Sequence, residues 1–66
     1  MIKEGSAGHY YVAACSWALA GKPDAAIRNL NKAIDKGWKD IEQLKKDENL
    51  KTLHKIKGWI ELISKL

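Results

Sequence analysis

Three side chains in this sequence could serve as nucleophile, base or metal ligand: His9, Cys15 and His54. A thiol activated by an imidazole can attack a carbonyl or a disulfide. His9 and Cys15 stand six positions apart, so a helix holding both would place them on different faces. No nucleophile-elbow or catalytic-cysteine pattern surrounds Cys15. A zinc site needs about four ligands at close spacing, which these three residues do not supply. Gly5 and Gly8 alone do not form a phosphate-binding loop. Cys15 therefore reads as a small apolar packing residue. The expectation is a non-enzyme with no catalytic residue, no metal and no cofactor. A Cys15-dependent enzyme or redox protein is the alternative reading, and thiol reactivity separates the two.

The elements that would position such residues come from a short chain. It has 66 residues, one cysteine, one proline and three tryptophans. A single cysteine leaves no intrachain disulfide, so the disulfide-stapled class is excluded. A folded chain of this size buries only about 60% of the surface that it exposes when unfolded. Its net charge is +4. Residues 1–35 carry four basic and three acidic residues, and residues 36–66 carry eight and five. Acids alternate with bases in the second half, as in Lys45, Lys46, Asp47 and Glu48. That is a solvated surface rather than a nucleic-acid face. Weak nucleic-acid binding through the basic C-terminal half stands only as an alternative. The apolar stretch Tyr10 to Ala20 is shorter than the roughly 20 residues needed to span a bilayer. The residues between Lys3 and that stretch do not make it a secretory leader. A soluble protein is expected, with the cytoplasm favoured and no membrane partner.

Residues 1–7 read as a flexible N-terminus. Tyr10 to Ala20 reads as a helix, apolar nearly all round, with Tyr10, Ala13, Ala14 and Trp17 sharing one face. Gly21 suits its C-terminal cap, and Pro23 and Asp24 suit the first turn of the next helix. That helix runs to about Lys36 on an apolar stripe of Ala26, Ile27, Leu30, Ala33 and Ile34. Gly37 stops it. Asp40 caps a short helix over Ile41–Lys46, and Asp47 caps a second piece that carries Leu50 and Leu53. Gly58 separates a last helix, Trp59 to Leu66. Trp17 and Trp59 read as core, and Trp38 either as the residue that pins the tail to the helix pair or as a partly exposed contact residue. No run has the alternation of a strand.

The stretch Tyr10-x-x-Ala13-Ala14-x-x-Trp17-x-x-x-Gly21-x-x-x-x-Ala26-x-x-x-Leu30-x-x-Ala33 resembles one tetratricopeptide repeat. That unit is a helix–turn–helix of about 34 residues with small residues at the helix crossing and a turn glycine. The following Gly37-Trp38-x-Asp40-x-x-x-Leu44-x-x-Asp47-x-x-Leu50-x-x-Leu53, with Trp59-x-x-Leu62, resembles the tail that closes some bacterial arrays of these repeats. The resemblance implies an all-α module, with residues 8–36 as the hairpin and 37–66 as a capping tail of two or three short helices.

It also implies a protein-interaction scaffold. The second-helix stripe would pack against Ile41, Leu44, Leu50, Leu53, Trp59 and Leu62. Tyr10, Ala14 and Trp17 would face the second helix. Tyr11, Val12, Cys15, Ala18 and Leu19 would form the interaction surface. Three or more repeats are normally needed for stability. The expected partner is thus a protein or peptide, upstream repeats of the same kind, or a second copy of the chain.

Overall fold

A computed structural model of the chain describes residues 5–65, which fold into five helical segments with no strand among them. Residues 1–4 of the expected flexible segment, and Leu66 of the expected last helix, lie outside the described residues.

Helix α1, Ala7–Leu19, starts three residues before the expected Tyr10. Ser6 explains the early start: its side chain accepts a hydrogen bond from the His9 N–H at 3.2 Å, the N-cap arrangement that satisfies an otherwise orphan donor. Gly21 ends the helix at φ +76°. The Lys22 N–H donates to the Trp17 carbonyl at 2.9 Å, and the Gly21 N–H to that of Ala18 at 3.2 Å. That pair of bonds closes the last turn around a left-handed residue, where glycine carries no Cβ penalty.

Helix α2, Pro23–Asp35, opens with Pro23 in its first turn and Asp24 beside it. It ends by the same device. Gly37 lies at φ +105°, and the Trp38 N–H donates to the Ala33 carbonyl at 2.9 Å. Helix α3, Ile41–Lys46, is capped by Asp40, whose carboxylate accepts from the Gln43 N–H at 3.0 Å. A 3-10 helix, Glu48–Leu53, follows directly. Helix α4, Lys57–Ser64, begins before Trp59 and takes Gly58 into its body. Gly58 is therefore not a separator. A Cβ there would lie 3.2 Å from Ile27 Cγ2, so the missing side chain lets α4 approach α2 closely.

The core joins the hairpin to the tail. Ala14, Ala26 and Ala33 are fully buried and let α1 and α2 come together. Leu30, Leu44, Leu50, Leu53 and Leu62 fill the space beside them. Of the tail residues expected to meet α2, Leu44, Leu50, Leu53, Trp59 and Leu62 are buried and Ile41 is half-buried. The tail does not lie on α2 alone. The 3-10 helix packs against both α1 and α2, and α4 packs against α2.

That placement corrects the expected orientation of α1. Its buried residues are Tyr11, Ala14 and Ala18, whereas Trp17 is 43% exposed. Tyr10 is half-buried, with the Lys32 ammonium 5.6 Å from its ring centre. A helix that is apolar on nearly every side has no periodicity to say which face turns inward. The tail makes the choice by docking on the Tyr11–Ala18 side. No helix among the described residues is long and apolar enough to cross a membrane.

Candidate interaction groove

One stripe of α1 forms a wall of an open groove of about 560 Å³. The stripe holds Gly8, Tyr11, Val12, Cys15, Ser16 and Leu19, which recur at the three-and-four spacing of a single helix face. Trp38, Gln43, Asp47 and Asn49 of the tail form the opposite side. The groove exists because the 3-10 helix covers only part of the apolar surface of α1.

The five residues expected to form an interaction surface are divided by this arrangement. Val12 is 49% exposed and Leu19 71% exposed, and both line the groove. Cys15 lines it while half-buried. Tyr11 lines it with most of its ring buried. Ala18 is buried and is not among the lining residues, so its place in the expected surface is corrected: it is packing beneath the tail.

Asp47 organises the floor. Its backbone lies at the junction of two elements, closing α3 and capping the 3-10 helix. One carboxylate oxygen accepts from the Asn49 N–H at 2.9 Å. The other accepts from the Tyr11 hydroxyl at 2.6 Å and from the Cys15 thiol at 3.8 Å. The Tyr11 bond is short, as hydrogen bonds to ionised acceptors are. Sequence patterning identified Asp47 as a cap but not as the partner of Tyr11. The available signal was chemical: a buried tyrosine hydroxyl needs a hydrogen-bond partner.

Trp38 closes one end. The turn that ends α2 fixes its backbone, and its indole N–H donates to the Asp40 carbonyl at 3.2 Å. Its ring stacks on Tyr11 with centroids 4.2 Å apart and planes within 10°. Trp38 thus joins the tail to α1 through one aromatic contact.

The groove suppresses thiolate chemistry. Burial, and then the charge and hydrogen bond of Asp47, push the Cys15 thiol up to about 11. The same causes, burial first, hold the Tyr11 hydroxyl well above the usual tyrosine range. Reactive cysteines have the opposite setting, next to cations or helix N-termini that lower the pKa.

Comparison of the chain with protein-family models, with curated proteins and with solved structures gives no match.

The two histidines lie apart from the groove lining. His9 meets Tyr10 edge-on at 5.5 Å. His54 lies in the tail, next to the end of the 3-10 helix. It is half-buried and stacked on Trp59, with ring centroids 4.6 Å apart. Among the described residues, no three His, Cys, Asp or Glu side chains are grouped so as to hold a metal ion.

Proposed function

We propose that this chain is a protein-interaction module, a hairpin of the tetratricopeptide type closed by a helical tail, which binds a protein or peptide segment in the groove beside α1. One observation carries the reading. Val12 and Leu19, seven residues apart on one helix face, keep 49% and 71% of their surface exposed at the edge of a groove that the tail leaves open. Singly exposed apolar residues are ordinary, but a contiguous apolar face beside a concavity is the form of a docking site. The Cys15-dependent alternative is opposed by the raised thiol pKa.

Site-specific crosslinking tests the proposal. A photoreactive residue replaces Leu19 in one variant and Arg28, exposed on α2, in another. In cells the Leu19 probe gives discrete crosslinked protein products and the Arg28 probe does not. The same products from both positions, or none from Leu19, would overturn the reading.

A further inference from the structure

We propose that the groove receives a lysine or arginine side chain carried on an apolar segment of a partner protein, its charged head at Asp47 and its stem against Val12 and Trp38. This rests on the interaction reading above and names the chemistry of the partner.

Charge complementarity carries the inference. Among the groove-lining residues Asp47 is the one carboxylate, and no Lys or Arg lines the groove. The groove is therefore locally acidic on a chain whose net charge is +4. Asp47 takes part in neither ion pair seen among the described residues, which join Lys46 to Glu42 and Lys57 to Glu61. Its three donors are a phenol, a thiol and a backbone amide. They orient the carboxylate without neutralising it. A carboxylate offers about four acceptor sites, so one remains for a further donor. The raised thiol pKa of Cys15, to which the Asp47 charge contributes after burial, reports the same negative potential inside the groove.

The occupant must compensate that charge. A purely apolar segment would cover a carboxylate without a counter-charge, which costs free energy. An acidic segment would be repelled. A second copy meets a similar difficulty. A two-fold interface centred on the groove sets the same patch against itself and brings the two Asp47 carboxylates together. A cationic side chain satisfies the remaining acceptor site, and its aliphatic stem covers apolar surface as such stems do. The indole of Trp38 adds an aromatic surface of the kind that attracts ammonium and guanidinium groups.

The test uses the full chain and three small probes of similar length: n-butylguanidinium, n-pentanol and n-pentanoate. Amide chemical shifts are followed during titration. The guanidinium shifts the Cys15, Trp38 and Asn49 signals and binds about fivefold more tightly than pentanol, the scale of one partly exposed ion pair. Asp47→Asn, which keeps an oxygen for the Asn49 N–H, removes that preference. Raising the salt concentration weakens guanidinium binding but not pentanol binding, and this arm decides the matter if the variant does not fold.

Equal binding of guanidinium and pentanol at the groove overturns the cation assignment and leaves the interaction reading standing. Preferred binding of pentanoate overturns the assignment as well. No probe moving these signals overturns both proposals. Groove signals that shift with protein concentration alone, and stop doing so in Val12→Ser, assign the groove to a second copy and overturn the cationic partner.

Discussion

The Tyr11 hydroxyl and the Asp47 carboxylate, 36 positions apart, share a 2.6 Å hydrogen bond that fastens the middle of α1 to the start of the 3-10 helix. The bond joins an element of the hairpin to an element of the tail. It is also partly solvent-accessible, so its contribution is that of a single charged hydrogen bond at the edge of a core rather than a buried ion pair.

Tyr11→Phe removes the donor and keeps the ring stacked on Trp38. Urea unfolding should show a loss of about 1 kcal/mol. Asp47→Ala also loses the N-cap and should cost about 1 kcal/mol more. Asp47→Asn keeps an acceptor for the cap and should fall between wild type and Asp47→Ala. If Tyr11→Phe is as stable as wild type, the bond contributes nothing.

Stability should decline on the alkaline side. In the folded chain the Cys15 thiol is raised from 9.0 to about 11, and the Tyr11 hydroxyl is raised above 10.0. The unfolded chain therefore releases these protons at lower pH than the folded chain does. Where the folded state binds more protons, stability falls as pH rises. Full stability should hold below about pH 9 and decline through pH 9–11 as Cys15 contributes, with Tyr11 extending the decline upward. Thermal melts of Cys15→Ala and Tyr11→Phe should each show a flatter alkaline slope than wild type. Unchanged slopes would show that neither group is linked to folding.

Cys15 should react slowly with thiol reagents in the folded state. A thiol raised from 9.0 to about 11 holds about a hundredfold less thiolate at neutral pH. The thiolate of a less acidic thiol is more nucleophilic, which offsets part of that loss, so labelling with a maleimide or an aromatic disulfide at pH 7.5 should be about tenfold slower than for free cysteine, and rapid once the chain is unfolded. A rate at or above that of free cysteine would favour the redox reading.

The two tryptophans expected in the core should respond differently to truncation. Trp59 is 6% exposed and stacked on His54, whereas Trp17 is 43% exposed. Trp59→Ala should cost about 3–5 kcal/mol, enough to unfold much of so small a domain. Trp17→Ala should cost about 1 kcal/mol or less. Circular dichroism during denaturation separates the two, and equal losses would contradict the placement of α1.

The local features of the fold were legible in the sequence, and the reason is chemical. Gly21 and Gly37 stop helices because the closing turn needs a positive φ. Asp40 and Asp47 open short segments because their carboxylates reach the next free N–H groups. The α2 stripe faces the core because it is apolar on one side only. The rotation of α1 was not legible. Tyr10, Tyr11, Ala14, Trp17 and Ala18 are all apolar enough to be buried, and only the position of the 3-10 helix decides among them. Gly58 was misread for a related reason. A glycine that permits close helix packing looks the same in sequence as one that breaks a helix.

The apolar surface beside the groove was legible in part, but the groove itself was not. An apolar surplus on α1 was foreseen at Val12, Cys15 and Leu19, and these residues line the groove. The acidic floor was not foreseen, because the contact between α1 and Asp47 is tertiary and leaves no spacing to read. His54 against Trp59 is a milder case of the same kind.

Asp40 and Asp47 stand seven positions apart, with the six residues of α3 between them. One carboxylate starts that helix and the other begins the next segment and catches α1. A deletion inside α3 would turn Asp47 by about 100° around the helix axis and carry its carboxylate away from Tyr11. The length of α3 is thus a ruler. Among descendants of this sequence, the letters between the two aspartates should be free to drift, while their number should stay the same.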